Sequence, residues 1–93
     1  MNELHTLHIL NKTPDHPRFS ECLGMLGPDD AIVLIENGVL GLAATTHLSA
    51  DRVYALVADV SARGLPEQSH DSTLLDYSEW VDLTLRAKRV ISW

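Results

Sequence analysis

The chain has 93 residues, 45% of them hydrophobic, with four prolines and five glycines, which is enough apolar surface for one small domain spanning 1–93 to fold unaided. Its single cysteine excludes an internal disulfide and suits a reducing compartment. Thirteen acids against seven bases leave a net charge of −6, which argues against a binding surface for a nucleic-acid backbone.

The start, Met1-Asn2-Glu3, lacks the basic opening of a signal peptide, and no apolar run approaches a membrane span. A cytoplasmic protein is the expectation. Residues 3–10 alternate loosely and read as a first strand. Lys12-Thr13-Pro14 and His16-Pro17 turn the chain, with Pro17 suited to the first position of a helix. Phe19, Cys22, Leu23 and Leu26 then recur at helical spacing, and Gly27-Pro28 should stop that helix.

Ala31-Ile-Val-Leu-Ile35 is an uncharged run of the kind that is covered on both faces in parallel sheets. Glu36-Asn37-Gly38 follows at its carboxyl end, where open α/β sheets place working residues. A weaker helix runs through Val39, Leu40, Leu42 and Ala43, with Gly41 and Thr45-Thr46 lowering its propensity. Val53 to Val57 reads as a third strand, followed by a helical turn capped by Asp59 and ended by Arg63-Gly64.

Thr73 to Leu75 is a short fourth strand. Asp76 with Glu79 three residues on forms a capping box for the last helix, whose inner stripe is expected to hold Tyr77, Trp80, Val81 and Thr84, widened by Leu83 and Leu85. Arg86, Lys88 and Arg89 are read as the basic end of that helix, favoured by its dipole. Val90 to Trp93 can add a fifth strand. Strands alternating with helices imply a three-layer α/β/α sandwich on a mostly parallel, about five-stranded sheet.

Cys22 is the one candidate nucleophile. It lies on its helix's apolar stripe, where a free cysteine packs as a small hydrophobe. Arg18, four residues earlier, supplies a cation that would favour the thiolate. His5 and His8, three apart on a strand, are expected to point to opposite faces and not to share a metal ion. His16, His47 and His70 stand apart in loops or at helix ends, so no metal site is expected. A dinucleotide fingerprint and a hydrolase elbow are both missing. A phosphate-receiving regulatory domain would need acids where Asn11-Lys12-Thr13 stands. Trp93 suits either an edge of the sheet or a neighbouring subunit.

Leu4-His5-Thr6-Leu7, Asn11-Lys12-Thr13-Pro14, Ala31 to Ile35 with Glu36-Asn37-Gly38-Val39, Val53-Tyr54-Ala55-Leu56, Asp59, Ala62-Arg63-Gly64-Leu65, Asp76-Tyr77 with Trp80-Val81-Asp82-Leu83-Thr84, and Ser92-Trp93 together resemble the DsrH/TusB family of sulfur-relay proteins, nearly end to end. Asn37 stands where the family usually has Asp, Leu40 where it has an aromatic, and Trp80 where it has Phe.

The resemblance implies a DsrE/F/H-like fold and a non-catalytic or auxiliary subunit of a sulfurtransferase complex. Its partners would be TusC-like and TusD-like (DsrF/DsrE-like) chains in a dimer of heterotrimers, linked indirectly to TusA-like and TusE-like sulfur carriers. The cargo would be persulfide sulfur, destined for 2-thiolation of the tRNA wobble uridine or, in the DsrH branch, handled in sulfur oxidation. No cofactor, no membrane and no direct tRNA contact are implied. Cys22 matches a position where DsrH-type chains carry cysteine, which makes it a candidate persulfide carrier, in the complex or alone.

Overall fold

The computed structural model describes residues 4–45, 52–66 and 72–93. Five strands, β1 (Leu4–Leu10), β2 (Ala31–Leu34), β3 (Val53–Leu56), β4 (Thr73–Leu75) and β5 (Ala87–Ser92), form one sheet in the order β4-β3-β2-β1-β5. Every neighbouring pair is parallel, with Leu7 beside both Ala31 and Val90, Ile32 beside Val53, and Ala55 beside Leu74. Helices α1 (Pro17–Gly24), α2 (Val57–Ala62) and α3 (Tyr77–Arg86) and a 3₁₀ helix (Glu36–Thr45) connect them.

The order explains the layers. From β1 to β4 the chain steps strand by strand in one direction, and α1, the 3₁₀ helix and α2 cover one face. There Leu10, Phe19, Cys22, Ile32, Leu34, Val39 and Val60 form the larger core. From β4 the chain returns past the whole sheet to the far side of β1, and right-handed crossovers place that connection on the opposite face. α3 makes it, packing Leu83 and Trp80 against Leu4, Leu7, Ala31 and Val33. All four residues of β2 are buried, as the uncharged run foretold.

Local signals set several boundaries. Pro17 opens α1, and the His16 ring, a role the sequence reading did not give it, accepts the Arg18 N–H at 3.0 Å. The helix ends earlier than Gly27-Pro28. Its last residue is Gly24, and the Met25 N–H closes on the carbonyls of Cys22 and Leu23. Arg63-Gly64 ends α2 as expected, by a Schellman motif. Gly64 takes φ 66°, its N–H reaches the Ser61 carbonyl at 3.0 Å, and that of Leu65 reaches Val60 at 3.1 Å. The Asp76–Glu79 capping box on α3 forms in both directions, at 2.7 and 2.9 Å.

Other expectations are corrected. Asp59 does not cap α2, because the helix starts at Val57, two residues before it, and Asp59 lies in its first turn. The α3 stripe is rotated. Of the residues expected inside, Leu83 is buried, whereas Tyr77 is 70%, Val81 39% and Leu85 78% exposed. Hydrophobic and aromatic residues span more than half of this helix, wider than the side that packs on the sheet, so periodicity did not single out the inward side. Lys88 and Arg89 belong to β5, which starts directly at Ala87, and only Arg86 remains in the helix's last turn. Thr46, His47 and His70 lie outside the described residues.

The weak helix after β2 is 3₁₀, and Val39 and Leu42, three apart, share its buried side as three residues per turn require. Its glycines are there for close approach. A Cβ at Gly38 would collide with the Leu10 carbonyl oxygen, and one at Gly41 with the Phe19 ring. We expect Gly38→Ala and Gly41→Ala each to lower unfolding free energy by about 1–3 kcal/mol in urea titrations. Phe19→Leu should recover part of the Gly41→Ala loss but none of the Gly38→Ala loss, because only the first clash is with a side chain.

Candidate functional site

Three places in the fold gather the chemistry-bearing residues. The first is Cys22. Its helix seats it between the sheet and the α1 backbone, fully buried with Phe19, Ile32 and Leu34 in the larger core. Burial pushes the thiol up to about 12, because a thiolate there would lack solvation. The cation expected to favour ionisation is engaged elsewhere. The Arg18 guanidinium lies 5.9 Å from the centre of the Trp93 ring and 3.9 Å from Glu21. As placed, Cys22 is a buried thiol packed in the larger core.

The second place is the carboxyl edge of the sheet, where Glu36-Asn37-Gly38 was expected to matter. A chain of polar contacts crosses it. Lys12 Nζ donates to the Trp93 carbonyl and to Asn11 Oδ1, both at 2.7 Å. Asn11 Nδ2 donates to Glu36 Oε1 at 3.4 Å, and the Glu36 N–H donates to Asp59 Oδ2 at 2.7 Å. Arg63 is 3.6 Å from Asp59 and donates through Nε and Nη2 to Asn37 Oδ1 at 3.2 and 3.1 Å. Glu36 itself takes φ 49°, the left-handed region that a side chain disfavours. Its bond to Asp59 and the Gly38 N–H on the Ile35 carbonyl at 2.8 Å hold the backbone there. Asp59 thus fastens the end of β2 to α2.

The third place was not anticipated. His8 projects from β1 and is 2% exposed. Its Nε2 donates to Asp30 Oδ2 at 3.0 Å, while Nδ1 accepts the Trp93 indole N–H, also at 3.0 Å. Those two partners set the neutral tautomer that carries its proton on Nε2. Asp30 also accepts the Gly27 N–H at 2.9 Å, and Arg52 Nε donates to the Asp30 carbonyl at 3.0 Å. His5, exposed, brings its Nδ1 to 3.8 Å from the other carboxylate oxygen. The two histidines differ in burial, as strand alternation suggests, yet both reach one carboxylate.

Burial alone would raise the pKa of Asp30. The Gly27 N–H, the His8 Nε2–H and the neighbouring His5 ring outweigh it and hold the carboxyl below its ordinary value. An open cleft of about 320 Å³ lies beside this cluster, its wall including Thr6, Met25, Pro28 and Arg89. Among the described residues no group of three His, Cys, Asp or Glu side chains is arranged to hold a metal ion. The His8–Asp30–Trp93 contacts span 22 and 85 residues of sequence, so no local motif announces them.

Residues 12–90 match the family model described as "DsrH like protein". The chain belongs to the DsrH/TusB family. It is 36% identical to Protein TusB of Pectobacterium carotovorum subsp. carotovorum, over 94% of this chain and 99% of that one. It is 34% identical to Protein TusB of Escherichia coli K12 over the same shares. The solution NMR structure of Protein Tm0979 from Thermotoga maritima superposes with a TM-score of 0.70 at 32% identity, covering 86% of this chain and 91% of that one. The DsrH/TusB fold is therefore present.

Two outcomes are expected. At pH 8 a pKa of about 12 leaves roughly one Cys22 in ten thousand as thiolate. A disulfide reagent should therefore label the native chain far more slowly than the urea-unfolded chain, and Cys22→Ser should cost about 1–3 kcal/mol by placing an unpartnered hydroxyl in the core. For Asp30, folding lowers the pKa from 3.8, so its contribution to stability is present above that pH and is lost as pH falls through the lower folded value. Asp30→Asn should flatten the fall in unfolding free energy below pH 3.8, read from urea midpoints at successive pH values.

Proposed function

We propose that this chain is the TusB-type subunit of a cytoplasmic sulfur-relay complex, passing persulfide sulfur toward 2-thiolation of the tRNA wobble uridine. The observation that carries this reading is the match to TusB chains over 94% of its length, without a domain-sized insertion or gap. Its partners are TusC-like and TusD-like chains in a dimer of heterotrimers, with TusA-like and TusE-like carriers as donor and acceptor. The net charge of −6 agrees with an indirect relation to tRNA. No helix among the described residues is long and apolar enough to cross a membrane.

The role assigned to the chain within that complex is to hold and orient. A relay thiol must exist as thiolate to attack the outer sulfur of a donor persulfide, forming Cys–S–SH and releasing the donor's thiolate. In the fold described, Cys22 meets neither requirement of access nor ionisation, which supports the principal carrier being on another chain. Cys22 becomes a secondary carrier only where α1 lifts from the sheet in the assembled state. A second reading, a DsrH-type subunit in sulfur oxidation, is favoured by the name of the matching family model and by the presence of the cysteine itself.

Deletion of the gene should lower 2-thiouridine in digested tRNA measured by mass spectrometry, and the tagged chain should co-purify with two homologous small α/β chains. Cys22→Ser should restore at least part of the thiouridine to the deletion strain. Unchanged thiouridine with the partners still bound would favour the sulfur-oxidation reading. A chain that captures neither partner would defeat both.

A further inference from the structure

Trp93 joins three elements. Its backbone N–H donates to the Ile9 carbonyl of β1 at 2.9 Å, and its carbonyl accepts Lys12 Nζ at 2.7 Å. The Arg18 guanidinium of α1 lies 5.9 Å from its ring centre, and the ring packs against the larger core. Its indole N–H donates to His8 Nδ1 at 3.0 Å. The two rings lie 25° from parallel with centres 6.1 Å apart, so the indole meets the imidazole by its edge, where an aromatic quadrupole is positive.

The neutral His8 ring already carries its proton on Nε2, bonded to Asp30 Oδ2 at 3.0 Å. A second proton can go only to Nδ1, where it takes the lone pair that the indole uses. An indole is a donor only, so that bond cannot reverse, and two N–H groups are then set against each other. Asp30 gains by the same event, because its carboxylate comes to face an imidazolium. The charges further out are divided. Asp29 on the cleft wall favours the added proton. Arg89 on that wall, Arg52 on the Asp30 carbonyl, Lys12 and Arg18 at Trp93, and His5 when charged, 3.8 Å from Asp30, oppose it. Among the described residues the groups hydrogen-bonded to the ring itself are Asp30 and Trp93. The cleft of about 320 Å³, whose wall includes His8, gives a proton its way in from solvent.

We propose that His8 and Trp93 form a proton-operated latch: the neutral imidazole holds the indole, and a proton arriving at Nδ1 releases it together with the carboxyl end of β5, while His8 stays on Asp30. The proton comes from solvent, and the bond that breaks is the hydrogen bond from the indole N–H to Nδ1. Coupling runs in both directions, so whatever displaces Trp93 makes His8 easier to protonate. The latch does not depend on the relay reading, and its test uses neither sulfur nor tRNA.

The test is NMR of the isotope-labelled chain between about pH 8 and pH 5, the range in which imidazoles change charge. The His8 ring signals report its protonation. Protection of the Trp93 indole N–H against solvent exchange, taken relative to free indole at the same pH, reports the latch. As His8 charges, that protection should fall roughly tenfold, the worth of one hydrogen bond. The backbone N–H of Trp93 should lose protection with it, while the amides of β2, at the centre of the sheet, keep theirs. His8→Asn, which retains an acceptor near the Nδ1 position and cannot charge, should abolish the pH dependence, and His5→Asn should leave it in place. Trp93→Phe deletes the N–H and keeps an aromatic ring, so His8 should then take its proton about one pH unit higher, a tenfold gain in proton affinity. Where His8→Asn does not fold, the Trp93→Phe titration decides. The latch is overturned if indole protection is unchanged once His8 is charged, if His8 stays neutral to the end of the titration, or if Trp93→Phe leaves its titration unmoved. Unfolding of the whole chain over the same range, seen by circular dichroism, would overturn it too.

Discussion

A parallel neighbour for the outer edge of β1 can come only from a chain that crosses back past the whole sheet, and α3 makes that crossing. The consequence reaches both faces. Because the return runs opposite to the earlier steps, the single helix α3 covers a face that three helical segments cover on the other side. Its short inner stripe, with Leu83 fully inside and Trp80 half-buried, is enough to seat it, and its remaining apolar residues point outward. The same return delivers Trp93 to β1, where its N–H takes the Ile9 carbonyl at 2.9 Å, its carbonyl takes Lys12, and its indole takes His8.

The residue types that usually suggest catalysis are put to structural use here. His8 is neutral and bonded at both nitrogens, Asp30 gathers donors from β1 and from the turn before β2, and Asp59 fastens the strained backbone at Glu36. The His8 cluster is buried and bonded at both ring nitrogens, which rigidifies its surroundings, while the contacts at Glu36 and Asp59 lie at the surface. Each network ties β1 to an element distant in sequence. Cys22 fits the same pattern, since a high pKa and full burial describe a core residue. Tyr77, Val81 and Leu85 of α3 are, by contrast, apolar surface that the isolated fold leaves uncovered.

Legibility followed locality. The parallel strand Ala31–Leu34, the capping box at Asp76, the stop at Gly64 and the helix start at Pro17 are written in residues close together in sequence, and all were readable there. The inward side of α3 was only partly readable, because its apolar residues span more than half of the helix and only its packing partners choose among them. The start of α2 was misplaced because Val57 and Ala58 suit strand and helix alike, which left Asp59 resembling a cap. The polar networks were invisible for the opposite reason, since histidine, aspartate and tryptophan meet across 22 and 85 residues with no spacing to mark them.

The pairing of Leu4 with Ala87 and of Ile9 with Ser92 has a kinetic side. Closing a loop of that span precedes any gain from the contacts it makes, so β5 docks late on the folding route. It is an edge strand, with four of its six residues exposed and the other two half-buried. Its departure would release the Trp93 indole and free a full edge of β1 in one event. A molecule opened at that edge is a four-stranded sheet with a vacant parallel slot, a form able to accept a strand from elsewhere without unfolding its larger core.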